Sequence, residues 1–147
     1  RVITFRKNAH INVLRVYVKF GNEGSFVDNT SQGGSTCGIQ NNGEFSQFAV
    51  SKDFQKMDVH PYTGVSFKNT IIPNFPSVLN FAINLHQKLY YFDMASWDIA
   101  IDASGEPVLI ELNLIYQGII DAQIYDGPLF GDSTDEILES AFAKLKY

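Results

Sequence analysis

The 147-residue sequence has one cysteine, Cys37, and charged residues make up only 18% of it. A single cysteine excludes an internal disulfide framework and a cysteine-rich zinc module. It also favours a reducing compartment, so we expect a cytoplasmic protein. No apolar run approaches the roughly 18 residues that a membrane-spanning helix needs, so we expect no membrane span.

Positive charge is scarce in the second half of the chain. The first 70 residues hold eight Lys or Arg and five Asp or Glu, whereas the rest hold three and eleven. The net charge of −5 argues against an ordinary basic nucleic-acid-binding protein, so no nucleic-acid partner is expected. The acidic half is interpreted either as a solvated surface or as one side of a polyanion and metal site whose cations come from the first half.

Apolar and aromatic residues are plentiful. Hydrophobic residues form 45% of the chain and include twelve Phe and seven Tyr, which suits one core in a single domain. Arg1 directly precedes the alternating apolar run Val2–Phe5. Because natural chains rarely begin inside a strand, we expect a piece of a longer protein.

Strand patterns dominate the first half of the sequence. Alternating stretches rich in β-branched and aromatic residues predict strands at Val2–Phe5, Ile11–Phe20 and Glu44–Val50. The segment Gly21–Gly43 holds six of the eleven glycines, which predicts loops with one short strand between them.

Helices are predicted only in the second half. Apolar spacing from Pro76 to Leu89 indicates a helix. A hairpin follows, with strands at Phe92–Asp102 and Val108–Leu112, and a capping-box pattern begins a last helix that runs from Ser133 to Leu145. This order predicts an α+β fold, a largely antiparallel sheet with helices packed on it.

The second hairpin carries the most informative polar residues. Asp98 lies in one predicted strand, and Glu111 and Asn113 lie two residues apart on its partner, so these two side chains share a face. Oxygen donors without His or Cys suit Mg²⁺, which takes further ligands from water and substrate phosphates. The alternative is that Asp98 and Glu111 simply face solvent.

Several motifs resemble those of the ATP-grasp superfamily. The stretch from Trp97 to Asn113, WDIAIDASGEPVLIELN, resembles the C-terminal signature shared by D-alanine–D-alanine ligase and the ribosomal-protein glutamate ligases. The chain most resembles the sugar-transfer-associated ATP-grasp family, over nearly all of its length. That resemblance also rests on Val27-Asp28-Asn29, on Gly33-Gly34 and on the HPYTG motif from His60 to Gly64.

The resemblance implies an ATP-dependent ligase. In such enzymes ATP phosphorylates a carboxylate, and an amine or similar nucleophile attacks the acyl phosphate. Asp98, Glu111 and Asn113 fall at the positions that hold two Mg²⁺ ions in the relatives. The expected partners are therefore a nucleotide and an unknown pair of carboxylate and amine substrates, and the family name suggests polysaccharide or surface-glycan biosynthesis.

The same resemblance assigns roles outside the hairpin. Lys19 and Arg1 are expected to be the catalytic cations that face the phosphates or the acceptor. The residues expected to bind the nucleotide are Asn29, Gly33, Gly34 and, with weaker support, Arg15. His60 and Thr63 are expected to line the substrate site, although the HPYTG motif is equally a good turn.

The sequence departs from the family pattern after Asn113, where the usual Pro-Gly is absent. The lid and the adenine-binding hinge are expected upstream of Arg1, so residues 1–147 would be the C-terminal portion of an ATP-grasp domain, inactive alone. We expect such a piece to dimerise through the surface that the missing part would cover.

Two other functions stay open. The chain would be a catalytically inactive binding or interaction module on an ATP-grasp scaffold, or a hydrolase in which Asp98 and Glu111 serve as acid and base. The hydrolase leaves Asn113 and the glycine-rich segment without a role.

Overall fold

The computed structural model describes residues 1–21, 34–115 and 117–144, and within them it forms one seven-stranded sheet with three α-helices. The strands are β1 (Val2–Lys7), β2 (His10–Phe20), β3 (Ser35–Gly38), β4 (Ala49–Ser51), β5 (Lys56–Met57), β6 (Met94–Ile101) and β7 (Pro107–Asn113). The helices are α1 (Phe75–Gln87), α2 (Ile119–Asp126) and α3 (Thr134–Lys144), and a 3₁₀ turn at Gly131–Ser133 leads into α3.

The sheet has the order β5-β4-β3-β2-β1-β6-β7, and every strand pair is antiparallel. The prediction of an α+β fold with a largely antiparallel sheet is therefore confirmed. None of the described helices combines the length and the apolar composition needed to cross a bilayer.

Alternation along the strands sorts the side chains onto two faces. On the first, which we call the α1 face, Val2 of β1 packs against Ala82 of α1. On the second, the α2 face, Ile3 of β1 and Tyr17 of β2 pack against Ala122 of α2. The sheet thus lies between two layers that belong to different parts of the chain.

Strand β2 contains a β-bulge beside β1. Ile3 pairs with Arg15 and Thr4 pairs with Val13, so Leu14 is an extra residue without a partner of its own. A bulge of this kind directs two neighbouring side chains to one side of the sheet. Leu14 packs with Ile3 on the α2 face, and Arg15 lies there as well.

The predicted strand Glu44–Val50 is the clearest departure in the first half. Glu44 and Phe45 form only isolated bridges, to Ile71 and Ile39, and regular pairing starts at Ala49. The reason is that successive residues of this segment bond to different neighbours. The Phe45 amide donates to the Thr70 carbonyl, whereas the Ser46 amide donates to the Gly38 carbonyl. A segment whose successive residues bond to different neighbours cannot continue the hydrogen-bond ladder of a strand.

A buried histidine joins α1 to the sheet on the α1 face. His86 has no exposed surface, and its Nδ1 lies 2.7 Å from Thr4 Oγ1 and its Nε2 3.0 Å from the Phe92 carbonyl oxygen. A carbonyl only accepts, so we infer that Nε2 carries the proton and that Thr4 donates to Nδ1. Trp97 Nε1 donates to the same Thr4 oxygen at 2.7 Å.

Burial lowers the pKa of His86 below its ordinary value of 6.5, and the positive charge of Arg6 adds to the effect. The neutral imidazole is therefore the form that the fold requires. Protonation would add a buried charge and place a second proton where Thr4 now donates.

We predict that this histidine makes stability depend on pH. Because its pKa is lower in the folded state, the unfolded state binds more protons below about pH 6.5, and the free energy of unfolding falls as the pH decreases from there. The slope contributed by one group is at most about 1.4 kcal/mol per pH unit. Urea unfolding at pH 7.5 and pH 5.5 should show a larger loss for the wild type than for His86→Gln.

His10→Gln is the matched control, because His10 is exposed. It should keep the pH dependence of the wild type. Equal acid sensitivity in the wild type and His86→Gln would contradict the assignment.

Candidate functional site

Three charged side chains meet at the centre of the α2 face. Arg1 Nε donates to Asp98 Oδ1 at 2.7 Å and Arg1 Nη2 donates to Asp98 Oδ2 at 2.6 Å. Lys19 Nζ donates to the same Oδ2 at 2.8 Å. The three side chains are only 10%, 13% and 12% exposed for Arg1, Asp98 and Lys19, so the charges are largely removed from water. We call these residues the ion cluster.

The ion cluster is built by three adjacent strands. Arg1, the residue before β1, exchanges backbone hydrogen bonds with Tyr17 of β2 at 2.6 and 3.0 Å. On its other side β1 pairs with β6, where Val2 lies opposite Trp97, so Arg1 comes beside Asp98. Lys19 follows Tyr17 by two residues and so points to the same face.

Glu111 and Asn113 lie on this face too. Asp98 pairs with Glu111, and Ser96 pairs with Asn113. Paired residues share a face, as do residues two apart on a strand. Glu111 is exposed, whereas Asn113 is half-buried and its Nδ2 is buried without a hydrogen-bond partner among the described residues. The structure therefore brings the three predicted oxygen donors and the two predicted catalytic cations to one surface.

The cluster holds Asp98 and Arg1 in the charged state. Burial alone would raise the pKa of Asp98, but hydrogen bonds from Arg1 and Lys19 outweigh it and lower that pKa to about 2. Burial alone would lower the pKa of Arg1, and its hydrogen bond to Asp98 raises it instead. Asp98 and Arg1 therefore stay ionised through the physiological range.

Helix α2 closes one side of the cluster, and sequence reasoning missed it. Arg1 Nη1 donates to the Gln117 carbonyl at 3.3 Å, and Tyr17 Oη donates to the Gly118 carbonyl at 3.2 Å. Gly118 has φ +70°, and a Cβ there would lie 2.7 Å from Arg1 Nη1, so this position requires glycine. In the sequence, the available signal for this helix was Gly118 standing alone before a short apolar segment.

Asp121 of α2 is a further carboxylate at the site that the sequence did not single out. Burial raises its pKa above the ordinary value, while the charges of Arg1 and Lys19 oppose that rise. A cavity of about 720 Å³ opens beside it and is lined by Gln117, Gly118 and mainly apolar residues of α2. The site thus has a mainly apolar cavity next to the ion cluster.

Arg15 lies on the α2 face but has a different set of partners. Its guanidinium donates to the carbonyls of Leu14 at 2.7 Å, Asp126 at 3.2 Å and Pro128 at 2.8 Å. These contacts hold the end of α2 against β2. The nucleotide-binding role expected for Arg15 stays a prediction.

His60 and Thr63 lie away from the ion cluster. They bond to each other, Thr63 Oγ1 to His60 Nδ1, at 3.1 Å, and the His60 ring packs edge-on against Phe20 at 5.4 Å. Phe20 follows Lys19 in β2, so the two side chains leave opposite faces of the sheet. The structure does not bring this motif together with the cluster, and its substrate-binding role stays a prediction.

The predicted nucleotide loop is only partly described. Asn29 and Gly33 lie outside the described residues, and Gly34 is buried directly before β3.

The oxygen atoms of Asp98, Glu111 and Asn113 are of the chemical type that binds Mg²⁺. Within the described part of the chain, no three His, Cys, Asp or Glu side chains are grouped closely enough to hold a metal ion by themselves. Asp98, Glu111 and Asn113 nevertheless supply hard oxygen atoms on one face. Among the described residues, Asp98 Oδ1 accepts one hydrogen bond and Oδ2 accepts two. A carboxylate oxygen has two acceptor positions, so Oδ1 keeps one.

Comparison with protein-family models gave a match over most of the chain. The model of the sugar-transfer associated ATP-grasp family matches residues 1–136, a span that includes the ion cluster, Glu111 and Asn113. Neither curated proteins nor solved structures gave a match. The family inferred from the sequence motifs is therefore confirmed.

We predict that Asp98→Asn destabilises the fold. The change keeps the shape of the side chain but leaves two buried cations without their counter-charge, which typically costs about 3 kcal/mol or more. Urea unfolding at pH 7 measures this loss. Asp53→Asn, the same change at an exposed turn residue, should stay within about 0.5 kcal/mol of the wild type. A similarly small effect at Asp98 would contradict the importance of the cluster.

Proposed function

The chain belongs to the sugar-transfer-associated ATP-grasp family, and we propose that it forms the C-terminal part of an ATP-grasp carboxylate ligase. In the proposed reaction, the γ-phosphoryl group of ATP passes to a substrate carboxylate. An amine or similar nucleophile then attacks the acyl phosphate, and phosphate leaves. The main support is that Arg1 and Lys19 lie with Asp98, Glu111 and Asn113 on one face of the sheet.

Arg1 and Lys19 would stabilise the negative charge of the transferred phosphoryl group. Phosphoryl transfer depends chiefly on positioning and on charge stabilisation by fixed cations. Both side chains are about nine-tenths buried, so their charges are less screened than they would be in water. Asp98 holds them in place through three hydrogen bonds, which prepares the cationic surface before a ligand arrives.

Asp98, Glu111 and Asn113 would hold the Mg²⁺ ions that the resemblance implies. When bound, Mg²⁺ neutralises phosphate oxygens and aligns them for transfer. Asp98 offers its remaining Oδ1 position, and Glu111 is exposed on the same face. Asn113 lies two residues beyond Glu111 on β7, on the same face, and its side-chain oxygen would be the ligand.

Asp121 would accept the proton that an amine loses as it attacks. Its raised pKa makes the carboxylate more basic than an ordinary aspartate, and it lies beside the apolar cavity at α2. In this proposal the acceptor substrate occupies that cavity, next to the phosphoryl group held by Arg1 and Lys19.

The biological setting is inferred from the family description, which associates it with sugar transfer. We propose a role in polysaccharide or surface-glycan biosynthesis, with the lid and the adenine-binding hinge supplied by sequence upstream of Arg1. The metal-binding hairpin and the two cations would then complete the nucleotide site from the C-terminal side.

We predict Mg²⁺-dependent binding of ATP by the protein that includes its upstream sequence. Calorimetric titration of ATP with and without Mg²⁺ should show binding that depends on the ion. Glu111→Gln should weaken it at least tenfold because it removes a charged metal ligand. Glu106→Gln is the matched control, since Glu106 is exposed at the turn of the same hairpin.

Two results would contradict the proposal. Equal loss in both glutamine variants would remove the special role of Glu111. Failure of the folded, extended protein to bind ATP would instead favour the alternative, an inactive binding module on an ATP-grasp scaffold.

A further inference from the structure

A cleft of about 760 Å³ lies beside the bulged part of β2 and includes Arg15, but neither the ion cluster nor Glu111, Asn113 or Asp121. It opens where β3 ends, because β3 pairs with Tyr17–Phe20 and leaves the earlier part of β2 without it. The volume is within the range of small-molecule sites, roughly 300–1,000 Å³. We call it the amide cleft, after the side chains at its rim.

The rim is formed by four carboxamide side chains and one hydroxyl, those of Gln40, Asn41, Asn42, Gln47 and Ser46. Each carboxamide presents a donor and an acceptor together. Asn42 Oδ1 accepts from the Glu44 amide at 3.0 Å. Within the described residues, the side-chain amides of Gln40, Asn41 and Gln47 bond to no other part of the fold, and all three residues are exposed.

Aromatic rings form one wall of the amide cleft. Phe48 and Tyr125 lie with their ring centroids 5.9 Å apart, and Phe75 contributes a third ring. Tyr125 is anchored because its hydroxyl donates to the Thr36 carbonyl. Gly38 leaves room for this ring, since a Cβ there would lie 2.5 Å from Tyr125 Cγ. The wall is therefore a fixed apolar surface beside neutral polar groups.

The charge of the cleft does not suit a polyanion. Its one cation among the described lining residues is Arg15, whose guanidinium donates to three backbone carbonyls. Arg15 Nε also lies 3.9 Å from the Asp126 carboxylate, which lines the cleft as well. A ligand here meets two opposite charges that offset each other, and at the wall Lys56 Nζ lies 4.2 Å from the centroid of the Phe48 ring.

The strand edge in the cleft does not suit an added peptide strand either. The Leu14 carbonyl accepts from Arg15, and the Val16 carbonyl accepts from the Ile39 amide at 2.9 Å. The bulge at Leu14 also interrupts the regular spacing that a pairing strand needs.

We propose that the amide cleft binds a neutral carbohydrate. Sugar hydroxyls donate and accept at once, as the rim amides do, and the apolar C–H faces of sugar rings pack on aromatic side chains. The inference rests on the lining of the cleft and is independent of the ligase chemistry proposed above.

The experiment is a screen of the protein, without nucleotide, against immobilised neutral and acidic glycans. Calorimetry with the best neutral oligosaccharide follows. Gln47→Ala and Asn41→Ala should each weaken its affinity about five- to tenfold, the effect of one or two lost neutral hydrogen bonds. Gln87→Ala, which removes an exposed amide at the far end of α1, should leave the affinity unchanged.

Four results in the glycan experiments overturn the proposal. They are no binding of neutral glycans by the folded protein, preference for acidic glycans, equal weakening by Gln87→Ala, and displacement of the sugar by ATP with Mg²⁺. Capture of an extended peptide in the cleft in place of sugar would overturn it too. The ATP titration does not involve these variants, so either proposal can fail without the other.

Discussion

The ion cluster of Arg1, Asp98 and Lys19 is the interaction on which the arrangement of the site depends. Removing three charges from water is unfavourable, and only close pairing with good hydrogen-bond geometry offsets that cost. The pairing exists because β2, β1 and β6 are neighbours in one register. A shift of one residue in any of these strands would turn its charged side chain to the opposite face. Register and electrostatics therefore support each other.

The two faces of the sheet carry different kinds of polar interaction. On the α1 face, His86, Thr4 and Trp97 form a closed, neutral hydrogen-bond network that fixes helix to sheet. On the α2 face, Arg1, Lys19 and Asp98 are charged, and Asp121 lines a cavity beside them. Trp97 and Asp98 are adjacent in β6, so one strand serves both layers. The rigid packing of the first layer holds the backbone from which the charged groups of the second project.

Much of the fold was predictable because its signals are local. The β6–β7 hairpin, α1 and α3 follow from periodicity, and family motifs pointed to Asp98, Glu111 and Asn113. The ion pairing of Asp98 was not predictable, since it depends on side chains 97 and 79 positions away in the chain. Helix α2 and Asp121 were missed because eight residues carry too weak a periodic pattern. The predicted strand Glu44–Val50 pairs regularly only from Ala49, because alternation cannot reveal that the segment before it changes partners.

The bulge at Leu14 also bears on how β2 tolerates changes in length. Val13 and Val16 pack on the α1 face, and Leu14 and Arg15 both turn the other way. Removing Leu14 would restore unbroken alternation and leave every other residue of β2 on its present face. The strand therefore contains one spare residue at the bulge. Evolution can lose or move that residue without inverting Tyr17 and Lys19, so a deletion that would ruin an ordinary central strand is here a small change in packing.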